Sequence, residues 1–245
     1  MALVHGFGLD HRVWEPQMPA LRQRSRVLRH DERGFGSSTT PTARPYSHAD
    51  DWAALLGHLN LQNAHLVGLS VGAMHALELA LTQPSLVRSL VLVDPSGLAE
   101  VPFPPAITER FARIRKVIST EGVAAAKRIW RAGGWFVPAL ENPTAMQLLD
   151  AQLAAYSGWH WQNDNPARTP SPPIHQRLGE LRVPTLVIVG ERDLDYNQRV
   201  AKLLSERIPG AQLCTLPGVG HFPNVEAPEL FNATLQAFLD RVEAG

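Results

Sequence analysis

Residues 65–81 read HLVGLSVGAMHALELAL, an apolar run that passes through Gly68-Leu69-Ser70-Val71-Gly72 into a stretch of alanine and leucine. A short β-type run followed at once by helix formers predicts a strand and a helix joined by one sharp turn, with Ser70 at its apex. The flanking glycines keep side chains out of a turn too tight to hold them, and they leave the serine in a strained backbone conformation. A hydroxyl placed there stands above the strand end, beside the positive N-terminus of the helix and the N–H of Val71. An ordinary glycine-rich turn would not require that strand-to-helix setting, so Ser70 is read as a nucleophile.

The same strand-then-glycine pattern recurs outward from this point. Ala2 to Val4 runs into His5-Gly6-Phe7-Gly8, and Arg26 to His30 runs into DERGFGSS at 31–38. Val87 to Val93 ends at Asp94-Pro95, Thr185 to Val189 at Gly190-Glu191-Arg192-Asp193, and Gln212 to Leu216 at the glycine-rich turn before His221. Amphipathic helices are expected over Asp51 to Leu59, Val71 to Leu81, Gln198 to Arg207 and Pro228 to Val242. Strands alternating with helices predict an α/β fold, a mostly parallel sheet with helices on both faces that binds ligands at the C-terminal strand ends. The alternation breaks from Gly97 to Leu181, which reads as helical and is rich in Arg, Ala and Trp. That stretch closes with NDNPARTPSPP, four prolines in eleven residues, suited to an extended return. The expected organisation is a core of 1–96 and 182–245 with a helical cap of 97–181 inserted into it.

Three further turns complete a reaction centre. His221, after the last strand, is the expected general base, because imidazole titrates near neutrality and can take a serine proton and return it to a leaving alcohol. Asp193 is the favoured acid to orient it, with Asp195 and Asp94 as alternatives. The N–H groups of Phe7 and Val71 are the expected oxyanion donors. His5, beside a tight glycine turn, is read as structural, and His75, one turn behind Ser70, as a packed or solvent-bonded side chain.

The 245 residues carry 23 basic and 23 acidic side chains, a balance with no electrostatic footprint for nucleic acid or an anionic membrane. Cys214 is the single cysteine, which excludes an internal disulfide and fits a reducing cytoplasm. No leader-like segment or run of ~20 apolar residues is present. No metal or cofactor is expected, since no His/Asp/Glu cluster has ligand spacing on one helix or loop.

Taken together, the HGFG, DERGFGSS, GLSVG, VGERD and GVGHFPNVE turns resemble those of the α/β-hydrolase superfamily, in the group of carboxylesterases and enol-lactonases. The resemblance spans nearly the whole chain. It implies a Ser-His-Asp triad and a lid inserted after the family's sixth strand, matching the aberrant 97–181 stretch. Members usually begin with a β-hairpin before the first His-Gly strand, whereas Met1 here is four residues before His5. The Arg26 to His30 strand is therefore expected at a sheet edge, with lower stability and a tendency to form homodimers through it.

A serine at the elbow argues against dehalogenase and epoxide hydrolase chemistry, which needs a carboxylate there. The expected activity is that of a carboxylic ester hydrolase (EC 3.1.1.-). Lactonase, amidase, thioesterase or carbon-carbon bond hydrolase activity could use the same triad, and a non-catalytic ligand-binding receptor or scaffold is the reading from another class. Trp130, Trp135, Phe136, Tyr156, Trp159 and Trp161 make the cap aromatic. Trp130, Trp135, Phe136 and Trp159 are expected to line a pocket for a small ester with an apolar acyl or aryl group, and at least half of these rings to pack the lid onto the sheet.

Overall fold

Strands buried on both faces favour near-continuous apolar runs, and the central strands of this chain carry them, at 90–93 and 186–189 for example. In a computed structural model describing residues 1–245, six strands form one sheet. They are β1 (Ala2–Val4), β2 (Leu28–Arg29), β3 (Ala64–Leu69), β4 (Val87–Val93), β5 (Thr185–Gly190) and β6 (Gln212–Leu216). Their order is β2-β1-β3-β4-β5-β6 and every pairing is parallel. β1, β3 and β5 are buried along their whole length. Strand β6, at one edge, is mostly exposed.

β2 lies at the other edge, where the sequence places it, but only Leu28–Arg29 is strand rather than all of Arg26 to His30. An edge strand has a single neighbour to pair with, and here that neighbour, β1, has only three residues. Ala2 and Leu3 face Leu28 and Arg29. The Met1 amine and carbonyl extend that edge by bonds to the Arg26 carbonyl and the Leu28 N–H, both 2.8 Å.

The helix Val71–Thr82 packs on β1, β3 and β4, with His48–His58 against its outer side. Asp195–Arg207 packs on β5 and β6. Between β4 and β5 the chain forms helices at Pro105–Thr120, Gly122–Arg131 and Pro143–Ala155, shorter helical turns, and no strand. The proline-rich return is non-helical up to Ile174 and touches the rest of the fold through a bridge between Tyr46 and Ala167. These inserted helices have no separate core. Ile107, Ile114, Trp130, Trp135 and Leu149 belong to the same apolar cluster as the sheet, so the insertion is bound to the strand ends by burial of apolar surface. No helix is long and apolar enough to cross a membrane.

Candidate active site

Ser70 adopts φ 58° and ψ −121°, a region that costs a non-glycine residue about 1–3 kcal/mol. The turn is held from several sides. The Ser70 N–H donates to the Val93 carbonyl at 2.8 Å, and its own carbonyl accepts from Ala73 and Ser96. Gly72 is required by close approach, because a Cβ there would sit 2.3 Å from the His5 carbonyl oxygen. Close contact between the elbow helix and the β1 turn brings Gly6 against Ser70, with 3.2 Å between an imagined Gly6 Cβ and the Ser70 Cβ. Phe7 and Val71 both line the cavity above Ser70. As the first helical residue, Val71 has no carbonyl one turn back to receive its N–H.

The three candidate triad residues lie in one hydrogen-bonded line. His221 Nε2 is 3.0 Å from Ser70 Oγ, and His221 Nδ1 is 2.8 Å from Asp193 Oδ2. Asp193 Oδ1 also accepts the Leu194 N–H at 2.7 Å. Both His221 and Asp193 are buried. The acid turn and the histidine loop meet because Gly190 has no side chain: a Cβ there would lie 2.1 Å from the Gly220 carbonyl oxygen. Of the other two carboxylates weighed from sequence, Asp195 begins a helix and is exposed, while Asp94 lies behind the pair, fully buried.

Sequence reasoning missed Glu226. Its two carboxylate oxygens accept the N–H groups of Gly220 at 2.8 Å and Phe222 at 2.9 Å, clamping the backbone on both sides of His221. A glutamate in the first turn of Pro223–Glu226, five residues after the histidine, was the available signal. His5 is buried and structural, with Nδ1 against the Gly6 carbonyl and Nε2 accepting the Glu32 N–H. His75 is neither merely packed nor solvent-bonded. Its Nδ1 lies 2.9 Å from both oxygens of buried Glu32, and its ring stacks on His48.

A cavity of about 240 Å³ opens over Ser70 and His221. Trp130, Trp135 and Phe136 line it, together with Phe103, Phe111 and Phe222. No lysine or arginine does. Trp159 does not reach it: its half-buried ring stands edge-on to His160. On the one-turn helix Trp159–Gln162, positions two apart point to different sides, so Trp161 turns inward to Phe7 and Tyr156 while Trp159 cannot. Phe111 was legible as one of the apolar residues Ile107, Phe111 and Ile114 on one face of Pro105–Thr120. Trp135 is fixed by its indole N–H, 3.0 Å from Asn197 Oδ1, and Asn197 in turn donates to the Pro95 carbonyl at 3.1 Å. A larger groove of about 1010 Å³ reaches Asp193 and Trp135 from behind but contains neither Ser70 nor His221, so no carbonyl bound there can meet the hydroxyl.

Three groups bring His, Asp or Glu atoms close enough to share an ion: Glu32 with His48 and His75, Asp10 with His11 and Asp31, and Asp94 with Asp193 and His221. In the first, the two imidazoles are stacked at 4.2 Å and 17°, so their lone pairs run side by side rather than converging. In the second, Asp10 is already held by Arg12, and Asp31 by the His11 ring and backbone.

A parallel sheet with a strained serine elbow and a buried histidine-carboxylate pair at its C-terminal edge is the arrangement of a hydrolase. The model of the alpha/beta hydrolase family matches residues 1–234, and the chain belongs to that family. It is 30% identical over 241 residues to the "Putative carbamate hydrolase RutD" of Agrobacterium fabrum (strain C58), covering 97% of this chain and 91% of that protein. It is 27% identical over 249 residues to carboxylesterase YbfK of Bacillus subtilis (strain 168), covering 98% and 79%. Among solved structures, a thermophilic esterase from Thermogutta terrifontis superposes with a TM-score of 0.82 at 28% identity, covering 98% of this chain and 89% of that one.

Proposed function

We propose that this hydrolase cleaves small, uncharged carboxylic esters through an acyl-enzyme on Ser70, with His221 as general base and Asp193 as its orienting acid. The observation that carries this reading is the line from Ser70 Oγ to His221 to Asp193 beneath a cavity walled mainly by aromatic rings. His221 Nε2 takes the serine proton as Oγ attacks the carbonyl, the Phe7 and Val71 N–H groups hold the oxyanion, and His221 returns the proton to the leaving alcohol. Water then repeats the sequence on the acyl group. Residues 97–181 serve as the cap over the core of 1–96 and 182–245, with Trp130, Trp135 and Phe136 forming the acyl wall.

The size and polarity of the cavity narrow the substrate. At about 240 Å³ it falls below the ~300–1,000 Å³ of pockets that hold drug-sized ligands. The absence of a lysine or arginine in its wall favours neutral groups over carboxylates, because a buried anion there would have no counter-charge. A small lactone or carbamate ester meets the same conditions and is the second reading.

A fluorophosphonate probe should label Ser70, as located by mass spectrometry, and hydrolysis of p-nitrophenyl acetate should exceed that of the decanoate. Ser70→Ala and His221→Ala should each fall to nearly the same floor, since nucleophile and base act as one unit. More than a few per cent of wild-type turnover in either variant, or no labelling of Ser70, would sink the assignment.

A further inference from the structure

The triad as described leaves one buried oxygen unexplained. Asp94, at the end of β4, has no exposed surface and sits at φ 42°. Its Oδ1 accepts the Gly190 N–H at 2.8 Å, but its Oδ2 has no hydrogen-bond partner. The Asp94 and Asp193 carboxylates and a His221 ring nitrogen offer atoms within 4.8 Å of one another. Besides Asp193 and His221, the titratable group facing Asp94 is Glu226, another carboxyl.

Two ionised carboxylates in this space would share a single imidazole, with one oxygen stripped of water and given nothing in return. One of the two must keep a proton, as like charges at short range cannot both ionise. The hydrogen bonds decide which. Asp193 accepts N–H bonds on both oxygens, from His221 and Leu194, and those bonds favour its anion. Asp94 accepts one. As a neutral acid its Oδ2 becomes an O–H donor, and the adjacent Asp193 carboxylate is the acceptor.

We infer that Asp94 is carried as the neutral carboxylic acid and donates its O–H to Asp193, a positioning residue that keeps a single negative charge behind His221. Burial, followed by the neighbouring Asp193 charge, pushes the Asp94 carboxyl well above the usual carboxylate range, in the same direction. The donated bond fixes the Asp193 carboxylate that orients His221. Held in place, Asp193 in turn keeps the His221 ring oriented toward Ser70. The Asp94 proton itself does not move during turnover. The kinetic side of this inference rests on the serine-hydrolase reading above; the protonation state does not.

The test uses the full chain with Asp94→Asn and Asp94→Ala. The amide introduced by Asp94→Asn keeps both the acceptor for Gly190 and a neutral donor for Asp193, and alanine keeps neither. In the infrared spectrum at neutral pH, wild type minus Asp94→Asn should show a protonated-carboxyl C=O band that shifts in D2O. Asp94→Ala should lower kcat about tenfold at nearly unchanged KM, Asp94→Asn should recover it to within about threefold, and the acid limb of kcat/KM should stay within ~0.3 pH unit in Asp94→Asn. Absence of the band overturns the inference. So does an acid limb lowered by about one unit or more in Asp94→Asn, the mark of a lost negative charge beside the imidazole. Full activity in Asp94→Ala also overturns it. Should Asp94→Ala fail to fold, the band and the pH profile of Asp94→Asn decide. If the probe does not label Ser70 while the band is present, the hydrolase reading fails alone; if Ser70 is labelled and the band is missing, this inference fails alone.

Discussion

Replacing Glu32 by leucine should destabilise the fold in a way that depends on pH. Glu32 is 2% exposed, and its oxygens accept from the Trp52 indole at 3.2 Å and from His75 Nδ1 at 2.9 Å, with His48 Nδ1 at 3.6 Å. Burial alone would raise the Glu32 carboxyl, but the neighbouring histidines, His75 foremost and then His48 and His5, together outweigh burial and hold it well below the ordinary range. Burial likewise works against the His75 charge, and Glu32 reverses this and raises its pKa. Leucine strands the indole N–H, at about 1–3 kcal/mol. Breaking a buried pair at one partner costs about 3–5 kcal/mol, lessened here because His75 can shed its proton. A net loss of about 3 kcal/mol follows near pH 6. At about 2–4 °C per kcal/mol for a chain of this size, the melting temperature should fall by roughly 6–12 °C.

The sign of the pH dependence follows from the two shifts. The pKa of His75 is raised on folding, so its contribution is complete below its ordinary 6.5 and is lost as pH rises through the folded value. That of Glu32 is lowered, so its contribution is complete above its ordinary 4.5 and is lost only as pH falls through the folded value. The pair is therefore worth most between pH 4.5 and 6.5. His48, lowered to about 3 mainly by burial, is neutral in that window in the folded state of both proteins. Thermal unfolding of wild type and Glu32→Leu at pH 6 and pH 9 should show the larger gap at pH 6. A gap that is equal at both values, or a variant as stable as wild type, would refute the ion-pair account. Glu32→Leu combined with His75→Leu should recover much of the loss, because no buried charge is then left alone.

Other substitutions test the elbow and the cap. Gly72→Ala brings a Cβ to 2.3 Å from the His5 carbonyl oxygen and 2.9 Å from that of Val4, both rigid backbone, so the helix must retreat from β1 and separate the Val71 and Phe7 N–H groups. Hydrolytic turnover should drop on the order of a hundredfold, and retention of more than about a tenth would show that the two donors do not act together. Trp130→Ala should enlarge the cavity and shift the ratio of kcat/KM values toward longer acyl groups, whereas Trp159→Ala should leave the p-nitrophenyl ester ranking unchanged. A changed ranking in Trp159→Ala would return that ring to the pocket.

The alternation of strands and helices was legible because parallel strands covered on both faces favour near-continuous apolar runs, as at 90–93 and 186–189. Ser70 and His221 were legible because their turns need glycines at set offsets from a strand end, a constraint written locally in the chain. Asp193 could be favoured over Asp94 and Asp195 only by its position, since the sequence offers three carboxylates near strand ends. Tertiary structure separated them through the 2.8 Å contact with His221, and gave Asp94 a place behind that pair which no spacing announces. Residues 97–181 were readable as aromatic but not as a lined surface, because which ring faces the cavity depends on how one-turn helices are rotated against the sheet. The pairing of Glu32 with His75 across 43 residues, and the clamp of Glu226 on the histidine loop, likewise exist only once the chain is folded. Local turn chemistry and periodicity are properties of neighbouring residues and survive in the sequence, while the partner of a buried charge is set by which distant segments meet.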